Sequence, residues 1–380
     1  MIVVGTRPEI IKMAPVIDDF QRHDIKLTLL HSQQHYDHNM SKTFYDELGL
    51  NKPDVTLDLR GESQVAQTSL IMMQLEEFIG SEMPDLMIVQ GDTNTMLASA
   101  LTALKIGIPV GHVEAGLRSY DPRMPEEHNR RMVDHVSSIL FAPTPRAEIT
   151  LKKENVPGSV YVTGNTVIDA IIRHMPMAER QSKIMDSIDA QEFILTTVHR
   201  KENVDNPIIL RDLIESFMES PLPIVFPIHP RTVKSAKENG LWRKLNSSKN
   251  VKLIPPVGYF DFLMLMRNCS LILTDSGGIQ EEATAPPIRK RVLITRTSTE
   301  RPEAIESGFA TIVGVDKERI LEGIKNAIDD STVPLPESSP FGDGMASERI
   351  VTITSEFTQT NYAEQGFLHR IDETYPVCMS

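Results

Sequence analysis

Short apolar runs alternate with helical segments along almost the whole chain. Twelve of these runs have the length and the largely uninterrupted apolar, β-branched-rich composition of buried strands. They are Ile2–Val4, Leu27–His31, Leu86–Gln90, Val110–Val113, Ile139–Ala142, Val160–Thr163, Phe193–Val198, Ile224–Ile228, Val251–Ile254, Leu271–Thr274, Val292–Thr295 and Ala310–Val313. Because strands that alternate with helices build parallel sheets covered on both faces, the pattern predicts an α/β protein.

Twelve strands are too many for one ordinary open sheet, and 380 residues suffice for two domains. The sequence therefore predicts two doubly wound Rossmann-like domains that face a central cleft. Ligands of such sheets bind beyond the carboxyl ends of the strands. The predicted limits are 1–167 for the N-terminal domain and 168–345 for the C-terminal domain. A helix over 346–371 is expected to return to the N-terminal domain, followed by a tail over 372–380.

The charge and composition of the chain restrict its partners. The formal net charge of −13 disfavours nucleic acid and anionic membrane surfaces. No apolar run approaches the roughly 18 residues of a membrane span, and no signal-like segment precedes the first strand. Two cysteines form no disulfide framework and no CxxC pair. These features predict a cytoplasmic protein with no membrane or nucleic-acid partner.

The segment from Asp275 to Glu282 follows an apolar strand and opens a helix. Gly277 and Gly278 allow backbone N–H groups to approach a ligand closely, and a helix N-terminus favours anions. Glu282, about one turn further on, could accept from a pair of sugar hydroxyls. The segment therefore suits a nucleotide diphosphate. The alternative is an ordinary turn that Ser276 caps.

Cations stand at several other strand ends. Arg7 and Lys12 flank the start of the first helix, where the helix dipole disfavours positive charge. They make sense if they face an anion, although surface cations on an amphipathic helix are the alternative. His199 could titrate near neutral pH and suits a phosphate, or it could be a structural histidine. Arg301 could clamp an anion.

Three carboxylates fall at one edge of the predicted first sheet. Asp92, Glu114 and Glu126 each stand at a strand end or a helix start. Converging carboxylates are costly unless they bind cations or share protons, and different pKa values would let them serve as acid and base. The alternative for Asp92 is a helix N-cap. Glu127, four residues before Arg131, is expected to form a solvated helix pair.

A zinc site is not expected. His112 and Glu114 form the His-x-Glu pattern of zinc deaminases, but the Pro-Cys-x-x-Cys partner that those enzymes need is absent from the sequence. We therefore predict no metal.

Seven motifs in this order resemble those of the non-hydrolysing UDP-N-acetylglucosamine 2-epimerases. They are GTRPEIIK, QGDTNT, HVEAGLRS, PEEHNR, HRKEN, DSGGIQEEA and TERPEA. The resemblance runs from residue 1 to about residue 350. It implies a glycosyltransferase-B-like architecture and reversible epimerisation at C2, through elimination of UDP to 2-acetamidoglucal and re-addition. It further implies no cofactor, no metal and a homodimer.

The resemblance also implies roles for individual residues. Asp92, Glu114 and Glu126 match the acid/base set, without an assignment of acid and base, and His199 matches a histidine beside the departing diphosphate. The implied substrate-binding residues are Arg7, Lys12, Phe262, Ser276, Gly277, Gly278, Glu282 and Arg301.

The chain departs from the family pattern at three places. Val257 stands where members often have Gln in the uracil loop. Gln34-His35-Tyr36 stands where bacterial members with an activator site often show Gln-His-Arg. The segment 283–291 is about two residues longer than usual, so its conformation does not follow from the resemblance.

Four other functions are consistent with part of the pattern. A hydrolysing relative, which releases N-acetylmannosamine and UDP, would share every motif. A 2-epimerase for a modified UDP-sugar would do the same. A glycosyltransferase would need the diphosphate turn but not three clustered carboxylates. A UDP-sugar sensor would need the binding residues without the acid/base set.

Overall fold

The protein was analysed as a computed structural model that describes residues 1–32, 44–59 and 63–359. The chain forms two compact units. Unit 1 consists of Met1–Ala170 and the chain from Gly342 onward, and unit 2 consists of Ile171–Phe341. The helix Thr166–Gln181 carries the chain from unit 1 into unit 2. The predicted tail 372–380, residues 360–371 of the predicted terminal helix and the Gln34-His35-Tyr36 departure lie outside the described residues.

Unit 1 contains a parallel sheet, which in the described residues has seven strands in the order β3-β2-β1-β4-β5-β6-β7. The strands are β1 (Ile2–Val4), β2 (Leu29–His31), β3 (Val55–Thr56), β4 (Met87–Gln90), β5 (Val110–Val113), β6 (Ile139–Ala142) and β7 (Ser159–Val162). The five inner strands β2, β1, β4, β5 and β6 are buried along their whole length, as expected for a sheet covered on both faces.

Unit 2 contains a second parallel sheet, whose six described strands have the order β10-β9-β8-β11-β12-β13. They are β8 (Ile194–Thr197), β9 (Ile224–Pro227), β10 (Val251–Ile254), β11 (Leu271–Thr274), β12 (Val292–Ile294) and β13 (Ala310–Ile312). Both sheets have the Rossmann strand order. The prediction of two doubly wound α/β domains is confirmed, and each predicted strand corresponds to an observed one.

Helices connect the strands of both sheets. In the described residues they are α1 (Arg7–Arg22), α2 (Gln64–Ile79), α3 (Asn94–Ile106), α4 (Pro125–Val136), α5 (Pro145–Lys153), α6 (Thr166–Gln181), α7 (Lys201–Val204), α8 (Pro207–Glu219), α9 (Pro230–Glu238), α10 (Trp242–Asn246), α11 (Tyr259–Asn268), α12 (Gly277–Glu282), α13 (Pro302–Glu306), α14 (Lys317–Asp329) and α15 (Ala346–Gln359). Proline is the first residue of α4, α5, α8, α9 and α13, where its fixed φ suits a helix and its missing N–H is not needed.

The last described helix, α15, belongs to unit 1 and packs on α1. Its Ser347 donates from the backbone N and from Oγ to Oδ1 of Asp169, at 2.8 Å each. Arg349 donates to the Thr163 carbonyl at 2.9 Å. No helix within the described ranges is long and apolar enough to cross a membrane.

Each sheet reverses its strand order at one place, between β1 and β4 in unit 1 and between β8 and β11 in unit 2. In doubly wound sheets, the crevice at such a switch point is the usual ligand site. The segments after β1 and β4 contain Arg7 and Asp92, and those after β8 and β11 contain His199 and Ser276. The strand order therefore brings residues that were predicted to form the active site to the switch point of each unit.

Candidate active site

The turn after β1 is closely packed. A Cβ atom on Gly5 would lie 2.2 Å from Oγ1 of Thr95 and 2.6 Å from Oγ of Ser32, so only glycine fits. The turn leads into α1, where Arg7 is exposed and its guanidinium lies 4.8 Å from the ring centre of Phe44. This exposure leaves Arg7 accessible to an anion.

Glu9, which the sequence analysis did not single out, joins the turns that follow β1 and β4. Its carboxylate is buried and accepts hydrogen bonds from the backbone N–H groups of Gly5 and Thr6 and from the Thr93 hydroxyl. Burial raises the pKa of Glu9 to about 7 although these hydrogen bonds lower it, and the charge of Asp92 raises it further. The Thr6-x-x-Glu9 capping-box pattern was the signal that could have identified it.

Asp92 follows β4, and residues of α4 hold it. Arg130 donates from Nη2 and Nε to Oδ2 of Asp92 at 2.6 and 3.0 Å. Asn129 donates to the Asp92 carbonyl at 2.9 Å. The Asp92 side chain remains 33% exposed, so its carboxylate has a fixed orientation and is still accessible. Thr93, rather than Asp92, caps α3 by accepting from the Met96 N–H.

Glu114 follows β5 and is largely buried. Nζ of Lys12 lies 2.8 and 2.7 Å from its two carboxylate oxygens, and Nε2 of Gln90 donates to Oε2. Glu114 has a φ of 71°, a left-handed conformation that costs a non-glycine residue about 1–3 kcal/mol. The structure thus places Lys12, an implied substrate ligand, against a member of the implied acid/base set.

The two adjacent glutamates at the start of α4 differ in environment. Glu126 is exposed on the first turn, whereas Glu127 is buried. Glu127 accepts from N and Oγ of Ser119, at 2.7 and 2.9 Å, and from Arg130 at 2.9 Å. Its pair with Arg131 exists at 3.4 Å, but the prediction that Glu127 is solvated is wrong, because the segment containing Ser119 covers it.

In unit 2, Asp275 organises the segment after β8. It is fully buried and accepts from the backbone N–H groups of His199 and Arg200, at 3.0 and 2.9 Å, and from Asn203 at 3.1 Å. The His199 ring lies with Nδ1 3.3 Å from Oδ1 of Asp275, and its side chain is 45% exposed. A buried carboxylate therefore orients an accessible histidine. His229, the residue before α9, accepts from the Arg231 N–H.

The turn after β11 contains Ser276, Gly277 and Gly278, the last two opening α12. A Cβ atom on Gly277 would lie 2.6 Å from Oε1 of Glu300, so the closeness of this carboxylate requires glycine. Burial favours the neutral form of Glu300, but the charges of Arg301, Arg296 and Arg200 lower its pKa to about 2.

The remaining implied ligands of unit 2 differ in accessibility. Glu282 lies partly buried at the end of α12, and Phe262 lies partly exposed in the first turn of α11. Arg301 is buried and donates from Nε to the fully buried Glu281. The structure therefore pairs Arg301 with a protein carboxylate, beside the turn that begins α12.

The longer segment 283–291 forms a compact turn. The N–H groups of Ile288 and Arg289 donate to the Ala285 carbonyl, at 2.8 and 3.0 Å, and Lys290 N–H donates to the Ala283 carbonyl at 3.0 Å. Arg291 donates to the carbonyls of Asp330 and Val333 at 3.0 and 2.8 Å. Hydrogen bonds thus hold the longer segment within unit 2. In the described part of the chain, no group of three or more His, Cys, Asp or Glu side chains could hold a metal ion.

A sequence profile described as UDP-N-acetylglucosamine 2-epimerase matches residues 18–355 of the chain. The chain belongs to the UDP-N-acetylglucosamine 2-epimerase family. It is 42% identical, over 93% of its length and 97% of the relative, to a protein named UDP-N-acetylglucosamine 2-epimerase in Methanocaldococcus jannaschii. A crystal structure of the M. jannaschii enzyme in complex with UDP-GlcNAc and UDP matches with a TM-score of 0.83, covering 93% of this chain and 99% of that one.

The family also contains members named for other sugars. The Pseudomonas aeruginosa UDP-2,3-diacetamido-2,3-dideoxy-D-glucuronate 2-epimerase is 35% identical over 92% of this chain and 97% of its own. Proteins similar to this chain are thus named for more than one UDP-sugar.

Family membership explains why the motif residues were predictable and their partners were not. The motifs identify the residues at the strand ends, such as Asp92, Glu114 and His199. The groups that contact them include Gln90, Arg130 and Asp275. Local sequence does not mark these polar residues as partners, because only the fold brings them close. Asp275 had one available signal, its place directly after a buried strand.

Proposed function

We propose that this protein interconverts UDP-N-acetylglucosamine and UDP-N-acetylmannosamine by inverting C2 of the sugar, without hydrolysis. The observation that carries the proposal is the family match over nearly the whole chain, including a relative of that name at 42% identity. The polar residues at the switch points of both sheets are consistent with this chemistry.

The reaction requires a route around the weak acidity of the C2 hydrogen. Removal of the C2 proton together with cleavage of the C1–O bond releases UDP and leaves 2-acetamidoglucal. Re-addition of UDP to C1, with a proton delivered to the opposite face of C2, gives the epimer. The reaction is balanced without an oxidant, and it needs two proton-transfer groups as well as stabilisation of the leaving UDP.

We assign proton transfer to unit 1. Asp92, Glu114 and Glu126 are the candidate acid/base groups. Asp92 and Glu114 each have a cationic partner, Arg130 and Lys12, which holds the carboxylate in one orientation. Positioned carboxylates of this kind can take a proton from one face of a carbon and return one to the other.

We assign UDP binding to unit 2. Ser276, Gly277 and Gly278 would bind the diphosphate with Arg301 nearby, Glu282 would accept from the ribose hydroxyls, and Phe262 would pack on uracil. His199, half-exposed and oriented by Asp275, would stabilise the charge that develops on UDP as the C1–O bond breaks. Arg7 and Lys12 of unit 1 complete the proposed set of substrate contacts.

Proton NMR of the purified protein with UDP-N-acetylglucosamine in D2O tests the proposal. We expect UDP-N-acetylmannosamine to form with deuterium at C2. Free N-acetylmannosamine plus UDP would instead identify a hydrolysing enzyme. An unchanged spectrum, from protein that binds UDP, would direct the search to a modified UDP-sugar, such as that of the P. aeruginosa relative.

The change Glu114→Gln tests the acid/base assignment. The amide keeps the size of the side chain but cannot take up a proton, so we expect turnover to fall by at least about 100-fold. UDP affinity, measured by isothermal titration calorimetry, should remain within about twofold. Glu77→Gln, at an exposed position on α2, is the matched control and should retain full activity. Full activity of Glu114→Gln would remove Glu114 from the mechanism.

Three further expectations from the sequence stay predictions. They are a homodimer, a cytoplasmic location and a reaction without metal or other cofactor. Light scattering coupled to gel filtration would measure the first, cell fractionation the second, and assays after treatment with a chelator the third.

A further inference from the structure

Glu114 adopts a left-handed backbone conformation, which is unfavourable for a residue that has a Cβ atom. Its φ is 71° and that of Gly116 is 86°, so two residues of the Glu114–Gly116 turn have positive φ. The N–H groups of Glu114 and Ala115 both donate to the Phe141 carbonyl at 3.1 Å. A left-handed non-glycine residue persists only where the surrounding structure holds it. The groups that hold this turn therefore determine where the Glu114 carboxylate points.

Asp134, on α4, contacts three residues in and around this turn. Its Oδ2 accepts from the Gly116 N–H at 3.3 Å and lies 2.7 Å from Nη2 of Arg118. Its Oδ1 lies 2.7 Å from Nδ1 of His112. One carboxylate thus contacts His112, two positions before Glu114 in the chain, and two residues that follow Glu114. The Asp134 and His112 side chains have no exposed surface, and that of Arg118 is 1% exposed.

His112 extends the network to the other carboxylate of unit 1. Its Nε2 lies 3.0 Å from the Gly91 carbonyl oxygen. Gly91 precedes Asp92 and has a φ of 82°. The Gly91 N–H in turn donates to the Val113 carbonyl at 3.1 Å. The turns that contain Asp92 and Glu114 are therefore tied together through His112.

Arg118 anchors the network on its other side. It also donates from Nε and Nη2 to Glu154, at 3.0 and 2.7 Å, and from Nη1 to the Leu117 carbonyl at 2.7 Å. Burial opposes the charge of Arg118, but Glu154 and Asp134 raise its pKa. Because the Asp134, His112 and Arg118 side chains are buried and bonded to one another, the network has few alternative arrangements.

We infer that Asp134 and His112 are positioning residues for epimerisation, which hold Glu114 and Asp92 in register with each other. This inference rests on the proposed function and deepens it. Neither side chain can touch a substrate, since both are fully buried. Their effect is exerted through the Gly116 and Gly91 backbone, and a displacement of about 1 Å in a reacting group can cost about 100-fold in rate.

Asp134→Asn is the first test. Asparagine keeps the volume, but it removes the negative charge beside Arg118 and replaces one of the two carboxylate oxygens with an NH2 group, which cannot accept a hydrogen bond. We expect kcat with UDP-N-acetylglucosamine to fall about 10- to 100-fold, with KM and the UDP Kd unchanged within about twofold. The deuterium isotope effect of substrate labelled at C2 should rise, because proton transfer becomes slower. His135→Asn, at the exposed neighbouring position on α4, is the matched control and should behave as wild type.

A pair of changes at His112 gives an independent test. Glutamine can still donate an N–H toward the Gly91 carbonyl, whereas leucine cannot. We expect His112→Gln to retain most of kcat and His112→Leu to lose about as much as Asp134→Asn. Because the two residues act through one network, the combined variant Asp134→Asn/His112→Leu should be no slower than the slower single variant.

The outcomes separate the inference from the proposed function. A wild-type protein that converts no UDP-N-acetylglucosamine would overturn the proposed function, whatever the variants do. Active wild-type protein with an equally active Asp134→Asn variant would overturn the inference alone. A variant that loses UDP affinity and thermal stability together, with an unchanged isotope effect, would assign Asp134 a purely structural role and would also overturn it.

Discussion

Glu9 is a carboxyl group whose pKa the fold raises into the neutral range. Its oxygens face Gly5, Thr6 and Thr93, which are hydrogen-bond donors, but burial outweighs them and raises its pKa from 4.5 to about 7. The folded protein therefore binds this proton more tightly than the unfolded chain does. The stability that Glu9 contributes is fully present below pH 4.5 and is lost as pH rises through about 7.

We predict that Glu9→Gln removes this pH dependence. The shift corresponds to about 3 kcal/mol of unfolding free energy across the interval, and glutamine resembles the protonated carboxyl group. Urea unfolding from pH 5 to pH 8 should show a flatter profile for the variant than for wild type. Glu76→Gln, at an exposed position on α2, should keep the wild-type slope. Identical slopes for Glu9→Gln and wild type would show that Glu9 does not titrate in this range.

At the residue scale, sequence patterns locate the acidic residues, but they do not show which of two adjacent acidic residues is buried. Glu126 and Glu127 are both in the first turn of α4, and Glu281 and Glu282 are both at the end of α12. Successive helix residues point about 100° apart, so one member of each pair is enclosed and the other is more exposed. Which one is enclosed depends on covering segments, such as the one containing Ser119, that local sequence does not encode.

At the scale of elements, the turn that opens α12 is predicted to tolerate no side chain at Gly277. A Cβ there would lie 2.6 Å from Oε1 of Glu300, whose carboxylate Arg200 and Arg296 hold in place. We expect Gly277→Ala to lower unfolding free energy by about 1–3 kcal/mol, since overpacking displaces neighbours. It should also weaken UDP binding by at least about tenfold in calorimetry.

Gly80→Ala provides the control for this prediction. Gly80 ends α2 in a right-handed helical conformation, and its added Cβ would meet no atom closer than 3.4 Å. This variant should keep wild-type stability and UDP affinity. Equal behaviour of the two alanine variants would mean that the Glu300 carboxylate moves freely, which its three arginine neighbours argue against.

The inner strands were predictable because their apolar runs are buried on both faces, and the exposed edge strand β7 was predictable from the β-branched and aromatic residues of Val160–Thr163. The exception is β3, Val55–Thr56, a two-residue strand at the sheet edge with no buried residue. Nothing in so short and accessible a run separates it from a loop. The segment 283–291 was equally unpredictable, since its conformation depends on Arg289 and Arg291 bonding to carbonyls of residues about 40 positions away.

At the scale of the whole molecule, the two units are predicted to respond differently to UDP alone. The residues assigned to UDP are mostly in unit 2. Hydrogen exchange should therefore show slower exchange of amides in 199–203 and 276–282 when UDP is added, with no change in β7 of unit 1. At 100 times Kd, UDP should raise the unfolding free energy of the unit that binds it by about 2.7 kcal/mol. Protection confined to unit 1 would contradict the assignment.

The division of the chain also sets the order in which its parts can be completed on the ribosome. Every residue of unit 2 lies between Ile171 and Phe341, whereas α15 of unit 1 follows it in the chain. Domains fold as units while synthesis proceeds from the N-terminus. Unit 2 is thus fully synthesised before α15, the helix that packs on α1, has been made. The first helix of the nascent protein is therefore among the last elements to form all of its native contacts.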